Sequence, residues 1–273
     1  MRRFALDDRA RPVGTAKKGK ESVASHTLSW RVFTLAAALA LIPTVAGAQR
    51  VSLGPDPKHP DPQRYAKAID AYGAADQEHM PGRCQILFLG SASIAIWKTL
   101  ADDMAPTPVI GRGFGGSTIA DQIYYFDRIA TPYHPRAIFF YAGENDVSDG
   151  LEPAEVMSDL NRFLALKTKV LGAATPVYYL AIKPSPYRLA DTPNQERVNE
   201  LAKALAAKRK DFHYIDTAHD SWEDANDNGL VSRKLKPIYL ADGIHMNRAG
   251  YENWISILKP LVQQEAQRPT TCK

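Results

Sequence analysis

The sequence predicts an α/β protein, a three-layer α/β/α sandwich built on a central, mostly parallel five-stranded sheet. Three observations carry this expectation. Short β-branched or aromatic runs alternate with longer helical patterns, and no internal repeat or low-complexity tract interrupts them; that order produces parallel sheets. The runs are largely apolar rather than alternating, as strands covered on both faces should be. Glycine-rich turns follow the first three runs, so functional groups are expected just beyond the C-terminal ends of the strands.

The expected strands are Ile86–Leu89, Val109–Gly111, Ala137–Tyr141, Val177–Ile182 and His213–Ile215. Helices are expected at about Gln63–Tyr72, Ile94–Asp103, Thr118–Ile129, Pro153–Leu171, Asn194–Lys208 and Arg248–Gln264. Pro153 suits a first helical turn, where no backbone N–H is needed. In the last segment Tyr251, Trp254, Ile255, Leu258, Leu261 and Val262 recur at three- and four-residue spacing. This gives an apolar stripe for packing on the sheet.

The formal charge of +4 is concentrated at the start of the chain. Residues 1–48 hold eight Lys/Arg and three Asp/Glu, leaving 26 basic and 27 acidic residues downstream. A net −1 gives no electrostatic footprint for nucleic acid. The basic stretch precedes an apolar run, Val32 to Pro43, which ends in Ala46-Gly47-Ala48. This is the pattern of a signal peptide with a long n-region, cleaved after Ala48; the run is shorter than the roughly 20 apolar residues a bilayer span needs. The expectation is a chain exported to the periplasm or medium, without a membrane span after cleavage. Residues 49–273 then form a single domain large enough to bury a full core.

Four segments at strand ends carry the candidate chemistry: Gly90-Ser91-Ala92-Ser93-Ile94-Ala95-Ile96-Trp97, Gly113-Phe114-Gly115-Gly116-Ser117, Gly143-Glu144-Asn145-Asp146 and Asp242-Gly243-Ile244-His245. Singly, each reads equally as a turn or a helix cap. Together they make a site. Asp242 and His245 are three apart and in a helical turn share one face, so the carboxylate can hold one ring nitrogen while the other points at a nucleophile. A glycine N–H and an Asn amide supply donors for an oxyanion, each often worth about 3 kcal/mol.

In order and spacing these segments resemble the blocks of the GDSL-type, or SGNH, ester hydrolases over nearly the whole mature chain. The Gly90-Ser-x-Ser-Ile-x-x-Trp97 wording looks like a subgroup whose first block reads Gly-Ser-Ser-Ser-Ile. The resemblance implies the flavodoxin-like SGNH hydrolase fold and activity on carboxylic esters, such as acyl or acetyl groups on lipid or carbohydrate, without cofactor or metal. It also implies that Gly116, Asn145 and the Ala92 N–H build the oxyanion hole, with Asp242 and His245 as orienting acid and base.

One position departs from that pattern. The family's nucleophile is the second residue after the first-block glycine, and here it is Ala92. Trp97, seven residues after Gly90, keeps the register without a gap. Three readings stay open: a working esterase that uses Ser91, Ser93 or a water activated by His245; a pseudo-enzyme that binds an acylated or carbohydrate ligand; or a nucleophile silenced by substitution.

Lys183 and Arg188, in the Lys-Pro-Ser-Pro-Tyr-Arg segment after the fourth strand, are expected to line the substrate pocket. Asp224 to Gly229 matches the opening of a calcium loop, but its twelfth position is Leu235 where a bidentate Glu is needed, so a solvated turn is expected. His213 and His219 are expected to be structural or surface residues. The glycines at 113, 115 and 116 do not space as a dinucleotide fingerprint, and no Gly-x-Ser-x-Gly elbow occurs. The two cysteines, Cys84 before the first strand and Cys272 after the last helix, should meet at the sheet end opposite the site and form a disulfide.

Overall fold

A computed structural model describes residues 58–223, 234–269 and 272. The expected signal peptide at 1–48 and the acidic segment 224–229 lie outside the described residues. Five parallel strands form the sheet: β1 (Ile86–Gly90), β2 (Val109–Gly113), β3 (Ala137–Tyr141), β4 (Val177–Leu180) and β5 (Phe212–Ile215), in the order β2-β1-β3-β4-β5. The central strands β1 and β3 are buried at every residue, which explains their uninterrupted apolar composition.

Nine α-helices are found among the described residues: α1 (Ala66–Glu78), α2 (Ala92–Ala95), α3 (Leu100–Met104), α4 (Ile119–Tyr124), α5 (Phe126–Ile129), α6 (Glu144–Ser148), α7 (Pro153–Leu171), α8 (Thr192–Ala206) and α9 (Arg248–Gln267). Side chains of a strand alternate between faces, and two separate cores result. Leu87, Leu89, Ile138 and Phe140 pack with Ile69 of α1, Ile119 of α4, Phe163 of α7 and Val198 of α8. Ile86, Phe88, Phe139 and Tyr141 pack with Ile94 of α2, Leu100 of α3 and Trp254 and Leu258 of α9. The architecture is the expected three-layer α/β/α sandwich.

Two expected helices are each broken in two. The Ile94–Asp103 pattern divides into α2 and α3 because Trp97 turns inward. Its ring packs against Phe88, Tyr251 and Trp254, with centroids 6.0, 4.9 and 6.0 Å away, and its Nε1 donates to Asp103 Oδ2 at 2.7 Å. Burying a large apolar side chain contributes up to about 3 kcal/mol, whereas helix propensities differ by at most about 0.7 kcal/mol per ordinary residue, so packing prevails. The Thr118–Ile129 pattern divides at Tyr125, whose hydroxyl donates to Pro62 O at 3.0 Å.

Across the second core Phe88, Phe139, Tyr178 and His213 occupy one register row of β1, β3, β4 and β5. Their rings stack at centroid distances of 4.9, 4.7 and 4.7 Å. At the N-terminal end of the sheet the sulfurs of Cys84 and Cys272 are 2.13 Å apart, with Cα atoms 5.6 Å apart. The 188-residue separation therefore ties the entry of β1 to the segment after α9, as expected from their placement.

Candidate active site

Strand order reverses between β1 and β3, whose connections leave in opposite directions, β1 toward β2 and β3 toward β4. The crevice beyond their C-terminal ends is where open α/β sheets bind ligands. Gly90 closes β1 there with φ of +146°, and a Cβ at this position would lie 2.1 Å from Tyr141 O, so only glycine lets the two strand ends come this close. The chain then turns into α2. Ser91 and Ser93 are both 3% exposed, and Ser93 O accepts the Tyr251 hydroxyl at 2.9 Å. Ala92, between them, is the residue of the three that reaches the surface, and a Cβ built on Gly115 would stand 3.8 Å from its own. The two serines are thus buried, whereas Ala92 is partly exposed. Ala92 opens α2, where N–H groups have no intrahelical acceptor.

Gly116 is exposed in the loop between β2 and α4. Thr118 caps α4 in a reciprocal capping box with Asp121, and this fixes where the loop ends. Asn145, in the first turn of α6, donates from Nδ2 to Ser117 O at 3.0 Å. The next residue, Asp146, accepts the Ile119 N–H at 2.9 Å. Two adjacent side chains therefore clamp the Gly116 loop to the Asn145 turn, which sets the spacing of the two expected donors.

Asp146 is fully buried. Burial pushes its carboxyl up to about 7, opposed by the Ile119 N–H. A raised folded-state value means that the stability it confers is complete below about pH 4, the ordinary Asp value, and is lost as pH rises to about 7. Asp146→Asn should flatten that part of the stability profile, read as the urea midpoint against pH from 4 to 8. An unchanged slope would show that Asp146 does not carry it.

Asp242 and His245 meet as expected, but not in a helix. Gly243 takes φ of +67°, reversing the chain so that Asp242 Oδ1 accepts the N–H groups of Ile244 and His245 at 2.9 and 3.0 Å. Its Oδ2 lies 2.7 Å from His245 Nδ1. The bond to His245 and these two N–H groups hold the Asp242 carboxyl down to about 2, so it is anionic throughout the neutral range and selects the Nδ1–H tautomer. Nε2 is left as the basic nitrogen.

The Lys183 and Arg188 expectation is corrected for the lysine. Lys183 is 0% exposed and cannot line an accessible pocket; its ammonium donates to Ile244 O at 2.8 Å and lies 5.4 Å from the Tyr239 ring centroid. Burial pulls the Lys183 ammonium below the usual lysine range, against the opposing charge of Glu144. Arg188 lies at the site edge and donates from Nη1 to Asn145 Oδ1 at 3.0 Å. Glu144, buried between them, sits 3.5 Å from each cation and accepts the Tyr141 hydroxyl at 2.6 Å. The sequence gives Glu144 and Asp146 no role of their own, although both flank Asn145 in one of the four blocks; nothing in their spacing distinguishes a buried carboxylate from a turn residue. His213 stacks on Tyr178 and His219 is exposed.

An α/β/α sandwich with a carboxylate–imidazole pair, a clamped amide and a glycine loop at its switch point has the layout of a hydrolase. A family model, the GDSL-like Lipase/Acylhydrolase family, matches residues 89–252, more than half of the chain, from the end of β1 into α9. The chain belongs to that family of ester hydrolases. Among solved structures it is similar to a candidate platelet activating factor from Streptococcus pneumonia (TM-score 0.63, 18% identity, 73% of this chain and 93% of that one). It is similar also to a GDSL-like lipase from Bacteroides thetaiotaomicron (TM-score 0.55, 18% identity, 77% and 99%). A third is a catalytic mutant of an acetylxylan esterase from Geobacillus stearothermophilus, with serine replaced by alanine (TM-score 0.51, 13% identity, 69% and 97%). No curated protein matches.

Proposed function

We propose that this protein hydrolyses carboxylic esters by direct attack of water, with His245 as general base. The observation that carries the reading is the 2.7 Å contact between Asp242 Oδ2 and His245 Nδ1, which presents Nε2 as a proton acceptor. In this reading Nε2 takes a proton from water as its oxygen bonds to the carbonyl carbon. The oxyanion is held by the N–H groups of Gly116 and Ala92 and the Asn145 amide. Collapse breaks the C–O bond, and the leaving alkoxide takes the proton back from His245, giving acid and alcohol.

An apolar ester is the favoured substrate. Five large apolar side chains are exposed among the described residues, and four of them, Ile96, Tyr187, Leu189 and Leu240, sit on segments that carry the site. Export, with cleavage after Ala48, fits the apolar run at 32–43 and the cysteine pair, which persists in oxidising compartments. The second reading, a scaffold that binds acylated ligands without turning them over, is favoured by Ala92 standing between two buried serines.

The test is p-nitrophenyl acetate turnover by the natural chain and by His245→Ala. Turnover above the buffer rate that His245→Ala abolishes supports hydrolysis and rejects the binding-only reading. Turnover that His245→Ala leaves unchanged would falsify the site assignment, and a natural chain no faster than buffer leaves the binding scaffold standing.

A further inference from the structure

We infer that Lys183, Glu144 and Arg188 are positioning residues, a largely buried ionic bridge that sets the separation of the catalytic base from the oxyanion donor. The inference rests on His245 and Asn145 acting as proposed above. One end of the bridge is Lys183 Nζ, bonded at 2.8 Å to the carbonyl of Ile244, the residue between Asp242-Gly243 and His245. The other end is Arg188 Nη1, bonded at 3.0 Å to Asn145 Oδ1. Glu144 joins them at 3.5 Å from each, and the Tyr141 hydroxyl fixes its second oxygen at 2.6 Å.

Each cation spends a hydrogen bond on a segment that carries a site residue. With Oδ1 turned to Arg188 and one Nδ2 hydrogen on Ser117 O, the Asn145 amide has a single orientation and one remaining hydrogen for a ligand. The loops are joined a second time, by the Tyr187 N–H to Gly243 O at 3.0 Å. An apolar cluster of the same volume would serve stability as well, since buried ion pairs are seldom net stabilising. The two buried charges, Lys183 and Glu144, and the half-buried Arg188 are accounted for by what they hold in place.

The test uses the Ala92→Ser chain for kinetics and the natural chain for spectroscopy, each variant first shown to melt cooperatively. In Ala92→Ser, Arg188→Met should lower kcat for p-nitrophenyl acetate about tenfold with KM changed less than about twofold, and Arg188→Lys should recover part of the loss. By nitrogen NMR of the natural chain, Arg188→Met should move the Asn145 amide pair, Lys183→Met the His245 ring nitrogens, and Glu144→Gln both. A folded Arg188→Met with unchanged kcat, or a folded Glu144→Gln with both signals unmoved, overturns the bridge. If the natural chain turns over p-nitrophenyl acetate no faster than buffer while Glu144→Gln moves both signals, the positioning role stands and the proposed hydrolysis falls.

Discussion

Ala92→Ser should raise p-nitrophenyl acetate turnover at least about a hundredfold over the natural chain, and adding His245→Ala should remove the gain. The expected size follows from what the nucleophile supplies. In serine hydrolases, losing the serine costs far more than losing any single oxyanion donor, and the residual rate is what binding and the oxyanion hole contribute alone. A tethered hydroxyl replaces a mobile water, converting a bimolecular encounter into a positioned attack. Ala92 is partly exposed, so the added oxygen needs little buried space and stability should barely change. Burst kinetics of p-nitrophenol release would show the acyl-enzyme formed only when the serine is present. A folded Ala92→Ser chain no faster than the natural one would mean that position 92 does not face the reacting carbonyl.

Cys272→Ser should produce the largest loss of stability. Closing a loop across a 188-residue separation removes chain entropy from the unfolded state worth about 5 kcal/mol in the loop-entropy description. For a domain of this size that is a fall in Tm of about 10–20 °C. Reductant should lower the melting temperature of the natural chain by the same amount and leave Cys272→Ser unmoved. Because the bond lies at the sheet end away from His245, esterase activity at low temperature should be unaffected by either treatment. Equal melting temperatures with and without reductant would show that the bond does not form in solution.

Much of this fold was legible because burial on both faces leaves an unmistakable composition: β1 and β3 are continuous apolar runs, and no surface strand reads that way. The breaks at Trp97 and Tyr125 were not legible, since they depend on partners remote in the chain, Trp254 and Pro62 among them. Within the site, Asp242 and His245 were readable from their spacing, although the turn that joins them is set by Gly243 and is not helical. Lys183 misled because a charged residue in a loop at a strand end is normally solvated. Its burial against Tyr239, Glu144 and Ile244 is a tertiary fact. The same holds for Ser91 and Ser93, whose burial emerges only once β1 and α9 are packed.

The row of rings through Phe88, Phe139, Tyr178 and His213 bears on how the strands find their partners. A slip of one residue sends every side chain of a strand to the opposite face. For β3 it would take Phe139 out of the row and carry Phe140 away from Phe163, on which it stacks at 4.1 Å. Stacked rings add about 0.5–1.5 kcal/mol per pair beyond their burial. A slip of β3 breaks the two row contacts it makes, Phe88–Phe139 and Phe139–Tyr178, which together add about 1–3 kcal/mol to the correct alignment. In an all-parallel sheet no hairpin turn is there to set that alignment, and the aromatic row acts as a gauge by which distant strands are matched during assembly.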